Sequence, residues 1–243
     1  MLKKERHNFI LSYLELNGTV MASALCVSLS ASHDTIRRDL RELSEDGKLM
    51  KVHGGAVLIR SETQQLPSTV ASIIAAKTAP LLCSDSFILT CGGEAVMEMY
   101  RFIPSYFNAT LLTASIHTAA RYCEHPTMEV VQLGDRIVKT SKIAAGGEAT
   151  AKIRQIRADM CILDSTGIDP LRGLTESNWQ IAQVKKAMAE SSAITICLAA
   201  SSTIGKIAAM QVCAPQNLAY LITELDPRDT ILDAYRARGI IVL

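Results

Sequence analysis

Ser32-His33-Asp34-Thr35-Ile36-Arg37-Arg38-Asp39-Leu40-Arg41-Glu42-Leu43 decides the fold of the first part of this chain. Ile36, Leu40 and Leu43 recur at i, i+4 and i+7, the spacing of one apolar stripe on an α-helix. Arg37, Arg38 and Arg41 fall off that stripe. Ser32 stands where an N-cap hydroxyl accepts from a first-turn amide, and Gly47 where a left-handed cap closes a helix. The opening turn carries Ser32, His33 and Thr35, small or polar side chains suited to a helix that enters a DNA major groove by its N-terminal end. A solvated amphipathic surface helix has the same composition, so the neighbouring segments decide between the two.

Upstream, Arg6, Phe9, Ile10, Tyr13 and Leu14 predict a helix over 3–16, ended by Asn17-Gly18. Thr19 to Leu29 reads as a second helix with Leu25 and Leu29 inward, and Ser30-Ala31 as the turn into the third. Downstream, Lys48 to Val52 alternates in polarity and predicts a strand; His53-Gly54-Gly55 reads as a tight turn and Ala56 to Ile59 as the return strand. This is the order of a winged helix-turn-helix, in which three helices build a small core and the hairpin adds a second contact with the phosphate backbone. Candidates near base edges are Ser32, His33, Thr35 and Arg37. Arg38, Arg41, Lys51 and His53 are candidates for phosphates or the groove flank. Arg38 and Asp39 form a local ion pair equally well, so neither is assigned a base.

The 243 residues leave room for a second domain. Hydrophobic residues make up 49% and charged residues 20%, and the net charge is only +1. A cationic face must therefore come from local arrangement. Seven cysteines lie scattered in apolar contexts, with no CxxC and no Cys/His cluster at ligand spacing. No metal site is expected, and the odd count fits a reducing, cytoplasmic setting. The uncharged run Ser191 to Gly205 is too short and too rich in hydroxyls to span a bilayer.

Arg60 to Ser68 is polar, aperiodic and contains Pro67, which marks a linker between domains at 1–59 and 69–243. Beyond it, helical runs alternate with short apolar strands. Helices are predicted at 69–82, 94–102, 115–123, 147–156, 176–190, 204–211 and 227–238. Strands are predicted at 86–91, 109–113, 128–133, 159–164, 194–199, 218–223 and 240–243. Such alternation predicts an α/β domain with a mostly parallel sheet covered by helices on both faces. Ligands of open α/β sheets bind outside the carboxyl ends of the strands. Cys91-Gly92-Gly93-Glu94, Thr113-Ala114-Ser115 and Ala199-Ala200-Ser201-Ser202-Thr203 are three such loops, with glycines or hydroxyls at helix starts that suit a small phosphorylated or acidic molecule. Ordinary βα turns have the same composition.

Thr35-Ile36-Arg37-Arg38-Asp39-Leu40, Leu43, Gly47-Lys48-Leu49 and His53-Gly54-Gly55-Ala56 resemble the signature of the deoxyribose-operon repressor (DeoR) family of bacterial transcription regulators. The resemblance spans nearly all of 3–58. One departure is Ser30, where the family often has glycine in a turn of positive φ. Landmarks of the same family extend through the second half: Leu133-Gly134-Asp135, Gly146-Gly147, Ala158-Asp159, Gly167-Ile168-Asp169, Gly173-Leu174-Thr175, Lys185-Lys186-Ala187-Met188 and Ser201 to Gly205. The resemblance implies a sugar-phosphate-sensing domain whose fold is like that of ribose-5-phosphate isomerase and CoA transferases. It also implies operator DNA as a partner and a homodimer or homotetramer.

Where the family reads Asp-x-Gly-Thr-Thr, this chain has Thr90, Gly93 and Glu94 in place of the acid and both threonines. The family's Thr-Asn is Thr113-Ala114, and its Ser-Lys is Ser202-Thr203, which removes a cation that holds phosphate as a point charge. Glu94 repels an anion unless turned away. The resemblance adds Gly134 and Lys185 to the effector-site candidates, Lys185 as a candidate phosphate partner, although a lone helical lysine is usually solvated. Three readings follow. The first is an effector-controlled transcriptional repressor of a carbohydrate operon, needing no cofactor and no catalytic residue. The second is a regulator whose second half has lost its ligand and mainly oligomerises. The third is an isomerase-like enzyme, for which Glu94 and Glu148 are the only loop-end glutamates to nominate.

Overall fold

The computed structural model describes residues 3–17, 19–46, 48–52, 54–58 and 69–243. The chain divides into two compact units, Met1–Leu66 and Pro67–Leu243. Gly18, Gly47, His53, Ile59 and the expected linker at 60–68 lie outside the described residues.

In the first unit α1 (Lys3–Asn17) is followed by β1 (Thr19–Met21), α2 (Ala22–Leu29), α3 (His33–Glu45), β2 (Leu49–Val52) and β3 (Gly55–Leu58). The apolar stripes of the three helices converge with the strands: Ile10, Leu14, Leu25, Leu29, Ile36, Leu40, Leu43, Leu49, Val20 and Ala56 form one buried cluster. Thr19–Met21 corrects the predicted helix 19–29. These residues pair antiparallel with β3, Thr19 opposite Val57 and Met21 opposite Gly55, and only then does the chain turn helical at Ala22. The wing is thus a three-stranded sheet in the order β1-β3-β2. Its closest approach requires glycine: a Cβ on Gly55 would lie 2.0 Å from the carbonyl oxygen of Val20. Ser30 does adopt the left-handed conformation, φ 47°, at the end of α2.

The second unit runs α4 (Val70–Thr78), β4 (Phe87–Thr90), α5 (Glu94–Met99), β5 (Thr110–Thr113), α6 (Ile116–Tyr122) and β6 (Glu129–Gln132). A small hairpin follows, β7 (Ile137–Val138) and β8 (Ile143–Ala144), then α7 (Gly147–Arg154), β9 (Ala158–Asp164), β10 (Gly167–Asp169) and β11 (Gly173–Glu176). The chain closes with α8 (Trp179–Glu190), β12 (Ser192–Leu198), β13 (Met210–Cys213), β14 (Tyr220–Ile222), α9 (Asp233–Arg236) and β15 (Ile241–Val242). Seven strands form one sheet in the order β15-β14-β12-β9-β4-β5-β6. Every adjacent pair in it is parallel. Side chains alternate between the two faces and both are buried, the mark of a parallel sheet with helices on each side. Leu89, Leu112, Cys161, Leu163 and Cys197 join the cluster that includes α7 and α8. Ile88, Leu111, Met160, Ile162 and Ile196 join the one that includes α4 and α5. The strand order reverses direction between β4 and β9, which places the topological switch point at the centre of the carboxyl edge.

Three predicted helices differ. Residues 204–211 are not helical: Gly205 has φ 73°, its amide donates to the carbonyl of Ile168 at 2.8 Å, and β13 begins at Met210, paired with Glu176 of β11. Helix 176–190 starts only at Trp179, because Gly173–Glu176 belongs to a second, antiparallel sheet β10-β11-β13. Helix 227–238 shrinks to a 3-10 turn, Thr230–Leu232, and α9. In the first two, bonds to distant residues outweigh local helix preference. In the third, local turns do, with Asp226 accepting from the Arg228 and Asp229 amides and Asp229 from the Ile231 amide.

Gly55→Ala is expected to destabilise the first unit by about 1–3 kcal/mol, the range for forcing a methyl into packed structure. Thermal denaturation followed by far-ultraviolet dichroism reads the loss.

Candidate functional site

In α3 the Ser32 hydroxyl accepts from the Thr35 amide at 3.3 Å and lies 2.9 Å from the Thr35 hydroxyl. The opening turn is thereby fixed by its own side chains. Ser32, His33, Arg37, Arg38, Arg41 and Lys51 are exposed and Thr35 is half-buried. His33 and Arg37 line a cleft of about 580 Å³ together with Met21 of β1 and Lys51 and Val52 of the wing. The leading turn of α3 and the wing therefore share a concave face with Arg37 on one side and Lys51 on the other, and the carboxylate of Asp34 lines it too. His53 lies outside the described residues.

Asp39 points the other way and is only 2% exposed. Its carboxylate takes Arg6 Nε at 2.8 Å, Arg6 Nη2 at 3.1 Å and His7 Nε2 at 3.2 Å, all from α1. The alternative pairing with Arg38 does not form, which leaves Arg38 on the surface. Burial alone would raise the Asp39 pKa; the bonds from Arg6 and His7 outweigh it and hold the carboxyl below its ordinary value. His7, Asp39 and Glu42 stand close enough to share a metal ion, but the Arg6 guanidinium already covers both Asp39 oxygens.

At the carboxyl edge of the large sheet the candidate loops do come together. Gly92 and Gly93 have φ 94° and 122°, and side chains at either position would be strained. A Cβ on Gly92 would lie 2.5 Å from Ser115 Cβ, and one on Gly93 3.0 Å from Asp164 Cβ. The loop after β4 thus presses against those after β5 and β9. Its hydroxyls serve the backbone. Thr90 Oγ1 donates to the Ile162 carbonyl at 2.8 Å and accepts from Gly92 N at 3.1 Å. Thr113 Oγ1 accepts from Ser115 N at 3.1 Å, and Ser115 Oγ caps α6 by accepting from Thr118 N at 3.3 Å. Ala114 is buried, Glu94 is exposed, and Gly134 is exposed beyond β6.

Lys185 is neither solvated nor open to a ligand. Its ammonium, 2% exposed, lies 2.7 Å from Glu176 Oε2, 3.0 Å from Asp164 Oδ1 and 2.9 Å from the Asp164 carbonyl. Burial alone would lower its pKa; the two carboxylates outweigh it and raise the value. Glu176 is pulled down to about 2, since its own burial is overcome by Lys185 and by the amide of Asn178. Other carboxylates fill the remaining anion positions. Glu224, beyond β14, accepts from Ser201 N with both oxygens at 3.0 Å. Asp135 accepts from Arg136 N at 2.6 Å and from Ala149 N, at the start of α7, at 2.8 Å. Thr203 Oγ1 sits 2.9 Å from Ser165 Oγ, and Ser202 is exposed. Sequence reasoning missed Asp164, Glu176 and Glu224. The available signal was their place at strand ends on the carboxyl edge.

Comparison with known proteins follows the same division. The family model described as the DeoR-like helix-turn-helix domain matches residues 6–62, and the DeoR C terminal sensor domain matches residues 71–225. The HTH-type transcriptional regulator GolR of Listeria innocua is 27% identical over 92% of this chain and 91% of its own length. The glycerol-3-phosphate regulon repressor of Escherichia coli is 25% identical over 96% and 95%. Among solved structures, ribose 5 phosphate isomerase A from Neisseria gonorrhoeae is similar with a TM-score of 0.40 and 12% identity, covering 55% of this chain and 52% of that one.

Lys185→Met is expected to cost about 3–5 kcal/mol, because it leaves Glu176 buried without its counter-charge. The pair also sets an acid dependence. The folded-state pKa of Glu176 is depressed to about 2, so its contribution is present above the ordinary carboxyl pKa near 4.5 and is lost as pH falls toward 2. Chemical denaturation at pH 7, 4 and 2.5 should show wild type losing stability over this window and Lys185→Met losing less.

Proposed function

The chain belongs to the DeoR family of helix-turn-helix transcriptional regulators, and from that membership we propose a repressor of a carbohydrate-metabolism operon whose DNA affinity is set by a small effector. The family is one of regulators, not enzymes. The observation that carries the DNA-binding assignment is the cleft shared by His33, Arg37 and Lys51. Ser32, His33, Thr35 and Arg37 meet base edges, where arginine forks onto guanine O6 and N7. Arg38, Arg41, Lys51 and His53 meet phosphates, which position the protein without specifying sequence. A homodimer or homotetramer presents two such faces to repeated half-sites. Residues 60–68 serve as the linker, and the protein works in the cytoplasm, where the DNA is. No described helix is long and apolar enough to cross a membrane.

The effector is assigned to the carboxyl edge, on Gly92, Gly93, Glu94, Thr113, Ala114, Ser115, Gly134, Ser202 and Thr203, with Lys185 beneath them. An effector shifts DNA affinity only by preferring one of two arrangements of the protein. The name of the Escherichia coli relative supports a phosphorylated sugar or related acid. The carboxylates on these loops oppose one.

Arg37→Ala is expected to weaken binding to a duplex selected from random sequence by about 1–3 kcal/mol and to relax preference at one base pair. Lys51→Ala should weaken binding to all duplexes alike and lower the salt slope by about one. Fluorescence anisotropy at several salt concentrations reads both. Unchanged affinity and slope in both variants would remove this face from the interface.

A further inference from the structure

We propose that the carboxyl edge takes an uncharged polyhydroxyl carbohydrate, a free sugar or a sugar alcohol, anchored on Asp164, and rejects the corresponding phosphate ester. The inference rests on the reading of this edge as the effector site and narrows its ligand class.

Asp164 ends β9, beside the switch point, and its side chain is 44% exposed. Lys185 Nζ holds one carboxylate oxygen, Oδ1, at 3.0 Å and the backbone carbonyl of the same residue at 2.9 Å. The carboxylate is thus fixed from below by a buried cation, and Oδ2 has no protein partner among the described residues. Gly93 lies over it, where a side chain would crowd Asp164 Cβ at 3.0 Å. Ser165 and Thr203 bring two hydroxyls, 2.9 Å apart, from the adjoining loops. The Asp164 carboxylate accepts from sugar hydroxyls, and Ser165 and Thr203, which hydrogen-bond each other while Thr203 donates to the Ala200 carbonyl, add acceptor lone pairs; a carboxylate offers nothing to a phosphate oxygen.

The groups that would welcome a phosphate are already used. Lys185 faces Glu176 as well as Asp164, and Ser201 N faces Glu224. Segments 91–94, 113–115, 164–166 and 199–203 contain no Lys, Arg or His, and Glu94 adds an exposed negative charge. These segments present carboxylates and no cation of their own to an anion placed here.

The test uses the full-length protein and its single tryptophan, Trp179, which is 66% exposed and opens α8 three residues after Glu176. Binding is followed by its emission and by titration calorimetry. The probes are glucose, fructose, glucitol and ribitol, each beside its phosphate ester, and inorganic phosphate. At least one uncharged probe is expected to bind at least about tenfold tighter than its ester. Asp164→Asn and Asp164→Ala should each weaken that probe about tenfold or more, and Glu94→Gln with Glu224→Gln should narrow the gap to the ester. An ester or inorganic phosphate that binds tighter than its uncharged counterpart overturns this inference and leaves the effector reading standing. Unaltered sugar binding in both Asp164 variants removes the anchor. Silence from every probe overturns the effector reading itself.

Discussion

A lysine ammonium with almost no solvent contact governs the second unit. An ion in that position is tolerable only with counter-charge and hydrogen bonds arranged around it. The chain supplies them from three elements: Asp164 at the end of β9, Glu176 at the end of β11, and Lys185 itself on α8. The large parallel sheet, the small antiparallel sheet and the helix that covers them are thereby held at one point, directly under the loops of the carboxyl edge. The buried Ile168 and Leu174 set the register of the small sheet, and the ion pair reinforces it, because a shift of one residue would turn Glu176 to the opposite face.

The first unit uses the same device on a smaller scale. Asp39 sits on the third helix between Arg38 and Arg41, which face solvent, and is drawn inward by Arg6 and His7 of the first helix. The apolar stripe Ile36, Leu40, Leu43 fixes how deeply that helix packs; the Asp39 pairing fixes its rotation about its own axis. Rotation is the quantity that matters for groove recognition. A helix turned by one position would put Asp39 where Arg38 now points, adding a second carboxylate beside Asp34, which is exposed and already lines the cleft with Arg37.

Much of this was legible in the chain. The third helix is written locally, in a stripe of three apolar residues and a serine that caps its own next turn. The central parallel strands are legible because both faces are buried and each is an apolar run, whereas the edge strand Glu129–Gln132 is largely exposed and is marked by Val130 and Val131 alone. What escaped was written non-locally. Thr19–Met21 is three residues long and becomes a strand only because β3 returns beside it. Residues 204–211 look helical in composition, yet their backbone bonds go to Ile168 and Thr175. The charged site shows the same limit. Lys185 meets partners 9 and 21 residues away, and Glu224 reaches back 23 residues to Ser201. No periodicity reports whether an acid at a strand end turns outward or folds back onto an amide.

The same charges make the shielded carboxylate beneath this edge a poor general base. A general base for sugar isomerisation needs a carboxylate shielded from water with a pKa near the working pH. Glu94 and Glu148 are exposed, and Glu148 is 3.7 Å from Lys152 on the next turn of α7. Glu176 is shielded, but Lys185 and the Asn178 amide hold it near a pKa of about 2, where it binds a proton too weakly to take one from carbon. Shielding without a paired cation would raise a carboxyl toward neutrality; pairing it makes a stable polar floor and a poor base. The arrangement that anchors the sheet therefore removes its one buried glutamate from catalysis. What it leaves at the surface is Asp164, half-exposed and held through one carboxylate oxygen by the same buried lysine.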